Sequence, residues 1–124
     1  MSESSAGFVG LGTMGYPMAL NLHKAGLLAA VWNRSAEKAD RFSTETGCFH
    51  CSDLAQVAER CQIIVLCVSG DEDVLEVVDQ LAPHLQDNAL VIDCSTVSSS
   101  TARQAAGRLA KKGAGFIVSW RSRA

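Results

Sequence analysis

Gly7-Phe8-Val9-Gly10-Leu11-Gly12-Thr13-Met14-Gly15-Tyr16-Pro17-Met18-Ala19 is the stretch from which the fold can be read. Gly7 to Leu11 is a short apolar run of the kind that forms a buried strand. Beyond the glycines, Met14, Met18, Leu22 and Ala25 recur at i, i+4, i+8 and i+11, one face of a helix, and Gly26 supplies the stop. Strand, glycine turn and helix is the setting in which G-x-G-x-x-G has chemical meaning. Gly10 allows the tight turn, Gly12 lets backbone approach a pyrophosphate, and Gly15 lets helix and strand pack closely. Unpaired N–H groups and the positive end of the helix dipole then face the phosphates. Outside that setting the same glycines describe only a tight strand–helix turn.

Composition narrows what such a site can serve. With 124 residues, 48% of them hydrophobic, the chain can bury one core and leaves no room for two, so one domain over residues 1–124 is expected. A formal charge of -2 argues against the broad basic surface needed for nucleic acid or an acidic membrane. Any cationic site is therefore local. Met1-Ser2-Glu3-Ser4-Ser5 is a polar tail without the basic and apolar regions of a secretion signal, and no apolar run approaches bilayer-spanning length. A soluble cytoplasmic protein is the expectation. Five cysteines, an odd number spread over strand-like segments, read as reduced thiols serving as small hydrophobes. Cys48-Phe49-His50-Cys51 sets two thiols beside an imidazole, but no second ligand pair follows at zinc spacing, and the segment reads as a turn or strand with no metal.

The rest of the chain alternates. Leu28–Trp32 reads as a second strand; Ser35 is placed to cap a helix carrying Ala36, Ala39 and Phe42 inward; Gly47–His50 forms a short third strand. Ser52 and Asp53 offer caps for a helix through about Glu59, with Leu54, Ala55 and Ala58 inward. Ile63–Val68, apolar on both faces, suits a central parallel strand. Asp71, Glu72 and Asp73 read as the solvated, dipole-compatible start of a helix whose buried face carries Val74, Leu75, Val78 and Leu81, ended or kinked by Pro83. Ala89–Asp93 is a fifth strand, and the hydroxyls from Ser95 to Ser100 cap a helix with Ala102, Ala105, Ala106 and Leu109 inward. Gly115–Ser119 begins a sixth strand. Such alternation specifies an α/β, Rossmann-type doubly wound parallel sheet, whose ligands bind at the carboxyl ends of the strands where strand order reverses. Four loops are thereby directed to one crevice: Gly10–Gly15, Asn33–Ser35, Cys67–Gly70 and Asp93–Thr96. Within these loops the residues expected to hold the cofactor are Gly10, Leu11, Gly12, Thr13, Met14, Gly15, Asn33, Arg34, Ser35, Cys67, Val68, Ser69, Ser95 and Thr96. Lys38, one turn into the following helix, joins them.

The second loop selects the cofactor. An NAD or FAD site carries an acid there, roughly 20 residues beyond the third glycine, to bond the ribose 2'-hydroxyl. Here Asn33 and Arg34 stand instead. Loss of the carboxylate removes repulsion of a 2'-phosphate, and a guanidinium clamps that phosphate through two parallel hydrogen bonds. Ser35 and Lys38 add a hydroxyl and a second cation, so NADP is expected ahead of NAD. Across the crevice the hydroxyls of Ser95 and Thr96 are placed to meet the nicotinamide ribose or a substrate carboxylate, or to cap the helix that follows, and the two roles are compatible. Cys67 reads as strand packing, since no neighbouring cation or histidine marks it as a thiolate. His23, His50 and His84 have no partner that suggests catalysis. Tyr16, the only tyrosine, has no lysine four positions on, which excludes a short-chain dehydrogenase.

Gly10-Leu11-Gly12-Thr13-Met14-Gly15-Tyr16-Pro17-Met18-Ala19, Asn21-Leu22, Gly26, Asn33-Arg34-Ser35 and Asp93-Cys94-Ser95-Thr96 together resemble the β-hydroxyacid dehydrogenase family. That family includes 3-hydroxyisobutyrate dehydrogenases, tartronate semialdehyde reductases, glyoxylate/succinic semialdehyde reductases and, more distantly, 6-phosphogluconate dehydrogenase. The resemblance runs from about Gly7 to Ile117 and implies the amino-terminal cofactor domain. It also implies that the glycine turn holds the pyrophosphate, the Asn33-Arg34 pair holds the 2'-phosphate, and Thr96 sits against the cofactor. The family pattern continues with a substrate-binding Asp-Ala-Pro-Val-Ser-Gly-Gly loop, a catalytic-lysine helix and an all-helical domain. This chain instead reads Phe116-Ile117-Val118-Ser119-Trp120-Arg121-Ser122-Arg123-Ala124, an atypical tail over 118–124, and none of Lys24, Lys38, Lys111 and Lys112 stands at the catalytic position. Two expectations follow. One is a cofactor domain inactive alone, which associates with itself through surface left by the missing helical domain. The other is a stand-alone dinucleotide sensor or interaction module.

Overall fold

Strand residues in this chain divide by parity, as the two-residue period of a pleated strand requires. Phe8, Val31 and Val65 face one side of the sheet, and Val9, Ala30, Ile64 and Leu66 face the other. In the computed structural model, which describes residues 6–119, each face finds its own helical cover. The expected polar tail over 1–5 and residues 120–124 of the expected carboxyl-terminal tail lie outside the described residues.

The elements follow one another as β1 (Ala6–Val9), α1 (Gly15–Lys24), β2 (Leu28–Trp32), α2 (Ala36–Thr46), β3 (Phe49–His50), α3 (Leu54–Arg60), β4 (Ile63–Leu66), α4 (Asp71–Leu81), β5 (Leu90–Asp93), α5 (Ser99–Ala110) and β6 (Gly115–Val118). A 3₁₀ turn over Ala82–His84 carries Pro83 just past the end of α4. All strand pairs are parallel, in the order β3-β2-β1-β4-β5-β6. This is the Rossmann-like α/β sheet expected from the alternation. Helices α1 and α2 cover one face through Ala19, Ala39 and Phe42, while α3, α4 and α5 cover the other through Leu54, Val57, Val74, Val78, Leu81, Ala105 and Leu109. Phe42 is fully buried, and its ring meets that of Tyr16 edge-on, which ties α2 to the start of α1.

Several local expectations are corrected. Met14 and Ala25 are exposed, and the buried face of α1 is carried by Gly15 and Ala19, because the helix meets the sheet at its first turn. In α3 the third inward residue is Val57 in place of Ala55. In α4 Val77 is buried and Leu75 only partly so, and in α5 Thr101, Ala105 and Leu109 form the buried face. Each shift is one or two positions along a helix whose apolar run was wider than its contact stripe. Strand β4 stops at Leu66, so Cys67 and Val68 enter the loop that follows. Asp53 caps α3 by accepting the Gln56 N–H, and Ser98 caps α5 by accepting that of Thr101. Ser35 occupies the N-cap position of α2 without a side-chain bond.

Candidate functional site

The strand order reverses between β1 and β4, each leaving the sheet on the same carboxyl edge, and a crevice of about 430 Å³ opens there. All four loops reach it. Gly10, Gly12, Thr13, Met14 and Gly15 come from the glycine turn, Asn33, Arg34 and Lys38 from the end of β2, Cys67, Val68 and Ser69 from the end of β4, and Ser95 and Thr96 from the end of β5. Two expected residues do not line it. Leu11 points into the core and is 1% exposed, while Ser35 is exposed at the start of α2.

Steric limits explain the glycine turn. Gly10 has φ +104, and a Cβ there would stand 2.1 Å from the Cys67 carbonyl oxygen; a Cβ on Gly15 would stand 2.0 Å from that of Gly10. Both glycines are required by the fold, one by backbone conformation and close approach, the other by close approach alone. Gly12 differs, since a Cβ there meets nothing within 4 Å. It faces open space, where an outside group can reach the backbone. Helix α1 starts with no side-chain cap and no acid in its first turn. Tyr16 N–H bonds the Gly12 carbonyl, and among the described residues the N–H groups of Gly12, Thr13 and Met14 have no protein acceptor. A phosphorylated ligand fits this cradle of unpaired donors.

Hydrogen bonds lock the four loops together. Asn33 Oδ1 accepts the Leu11 N–H at 2.7 Å, and its Nδ2 donates to the Ser35 carbonyl at 3.1 Å. Leu11 N–H is thus committed to the protein. Ser95 Oγ accepts the Val68 N–H at 2.8 Å, and Ser95 N–H donates to Asp93 Oδ1 at 2.8 Å. Ser95, 3% exposed, braces the β4 and β5 loops against each other, whereas Thr96 is exposed. Asp93 is fully buried, and among the described residues its Oδ2 has no hydrogen-bond partner. Burial pushes its carboxyl above the ordinary range, with the bonds from Ser95 pulling the other way.

Arg34 extends over the crevice mouth and is 64% exposed; its Nη2 lies 3.1 Å from Asp73 Oδ1 and 2.9 Å from Glu76 Oε1. The acidic start of α4 is therefore more than a solvated helix end. Asp71, at the same end, accepts the Ser98 N–H at 3.1 Å. Sequence reasoning missed Asp73 as a lining residue, along with Trp32, Val77 and Cys94. A usable signal existed, because Asp73 and Glu76 are i and i+3 on a helix that starts at the carboxyl edge of the sheet. Among the described residues no group of three His, Cys, Asp or Glu side chains is arranged to hold a metal ion. Burial pushes the thiols of Cys51 and Cys61 up to about 11, in keeping with small core residues.

A parallel Rossmann-like sheet with a glycine-lined crevice at its switch point is that of a dinucleotide-binding domain. Residues 5–119 match the NAD binding domain of 6-phosphogluconate dehydrogenase, and the chain belongs to that family, as an NAD(P)-binding domain of the β-hydroxyacid dehydrogenase type. It is 33% identical to glyoxylate/succinic semialdehyde reductase 1 of Arabidopsis thaliana over 114 residues, 90% of this chain and 39% of that protein. Mycobacterium tuberculosis 3-hydroxyisobutyrate dehydrogenase superposes with a TM-score of 0.87 at 21% identity, covering 94% of this chain and 40% of that one. Psf3, solved in complex with NADP+ and 2-OPP, superposes with a TM-score of 0.81 at 30% identity, covering 90% of this chain and 40% of that one. The chain spans about a fifth to two-fifths of the length of the curated relatives it matches. Among the described residues no helix is long and apolar enough to cross a membrane.

Proposed function

We propose that the chain binds NADP(H) in preference to NAD(H) and serves as the coenzyme domain of a β-hydroxyacid dehydrogenase or semialdehyde reductase. The observation that carries this is the end of β2, where Arg34 and Lys38 line the crevice, Ser35 stands beside them with a hydroxyl uncommitted to capping, and no acid occupies the ribose position. The Psf3 complex, at 30% identity, supports the same choice of coenzyme. Gly12, Thr13 and Met14 present backbone donors to the pyrophosphate, Thr96 lies toward the nicotinamide end, and Asn33 and Ser95 hold the loops in register. When bound, the coenzyme supplies hydride at its nicotinamide carbon. These residues supply binding and orientation, and the lysine among them, Lys38, stands beside Arg34 at the end assigned to the 2'-phosphate, where it has no part as general acid or base in hydride transfer. Residues 1–124 alone are accordingly proposed to bind coenzyme without turnover.

Calorimetric titration with NADPH and NADH, in the wild type and in Arg34→Ala, tests this. The expected result is tighter binding of NADPH, with Arg34→Ala costing NADPH about tenfold or more and NADH little, in line with the ~1.5–3 kcal/mol of a charged hydrogen bond. Equal affinities, unaffected by the substitution, would contradict the assignment. Full turnover of hydroxy acids by this chain would contradict its inactivity.

An apolar groove on the α1 side of the sheet, lined by Phe8, Met18, Leu22, Val65 and Ile92, together with the exposed Ile117 of β6 in register with Ile92, favours a second part of this reading. Association of this face with another copy is expected, and sedimentation at high concentration checks it. A strict monomer would count against it.

A further inference from the structure

We infer that Asp73 and Glu76 are specificity-determining residues, which compete with the coenzyme's 2'-phosphate for Arg34 and so hold down the preference for the phosphorylated coenzyme. The inference deepens the proposed function and rests on the placement of the adenosine end at the close of β2. One guanidinium nitrogen serves both carboxylates, at 3.1 and 2.9 Å, and α4 sets these acids one turn apart, both within reach of the loop that follows β2. Asp73 is only 27% exposed and lines the same crevice as Arg34 and Lys38, so it lies within the electrostatic reach of any anion seated there. A 2'-phosphate arriving at Arg34 must displace the two carboxylates or share the guanidinium with them, and in either case it meets their negative charge. A 2'-hydroxyl meets no such opposition. The acid absent from the end of β2 is thus replaced, in its effect on selectivity, by acids reaching across from α4. Helix-dipole compensation does not account for the pairing, because it asks only for charge near the first turn, which Glu76 lies beyond, and not for a cation from another loop.

The test is a pair of near-isosteric variants, Asp73→Asn and Glu76→Gln, and their combination, titrated calorimetrically with NADPH and with NADH at low and physiological salt. Circular dichroism checks that each variant is folded. The double variant is expected to bind NADPH about three- to tenfold tighter, with NADH changed by less than twofold and the gain shrinking as salt rises. Unchanged or weaker NADPH binding, or an equal shift for both coenzymes, would overturn the inference while leaving the coenzyme site itself standing. Failure of the wild type and the variants to bind either coenzyme would remove the site and the inference together.

Discussion

Asn33 holds the glycine turn in place through Leu11, whose N–H its amide oxygen accepts at 2.7 Å across 22 residues of sequence. With its Nδ2 on the Ser35 carbonyl, the side chain bridges the β1 and β2 loops from within. Replacing Asn33 with Ala leaves Leu11 N–H, in a part-buried position, without a partner. Chemical denaturation is expected to show a loss of about 1–3 kcal/mol, and both coenzymes should weaken by similar factors. Loss of NADPH affinity alone, at unchanged stability, would mean that Asn33 acts as a phosphate ligand and not as a brace.

The three glycines of the turn should separate by readout. Gly10→Ala and Gly15→Ala drive a methyl to within 2.1 and 2.0 Å of backbone carbonyl oxygens, and each is expected to cost more than about 2 kcal/mol of stability. Gly12→Ala meets nothing within 4 Å, so its stability should stay within about 0.5 kcal/mol of wild type while coenzyme affinity falls tenfold or more. Thermal melts and titrations on the three variants check this. A Gly12→Ala protein that binds normally would show that no ligand approaches the backbone there.

Asp93 predicts an unusual pH dependence. Its carboxyl is raised by burial, so the folded state holds the proton more tightly than the unfolded chain does. That contribution is complete below the unfolded carboxylate value, about 3.9, and is lost as pH rises through the folded value. Urea midpoints of wild type and Asp93→Asn should diverge in this window, with the wild type losing more stability as pH rises. Parallel curves would show that Asp93 titrates normally.

How much of this was legible in the sequence depended on the range of the interaction. The sheet was legible because strand and helix periods are local, and the parallel order with its crevice followed from topology rules. Helix faces were two residues out where apolar runs exceeded the contact stripe, as at Val57 and Val77. The site residues came from chain position at strand ends, and the structure brings most of them together. Their individual bonds were not legible. Asn33 turns inward to Leu11, Ser95 braces Val68, and Arg34 reaches 39 residues ahead to Asp73, three contacts between loops that meet only once the sheet has formed.

The loops following β1, β2, β4 and β5 are proposed to form one coenzyme cradle. Amide chemical shifts of the nitrogen-15-labelled chain, followed through a titration with NADPH, test it most directly. Saturable shifts concentrated at Gly12, Thr13, Met14, Arg34, Ser69 and Thr96, with β3 and the carboxyl end of α5 unmoved, are the predicted result. Shifts centred away from the carboxyl edge of the sheet, or none at millimolar coenzyme, would contradict it.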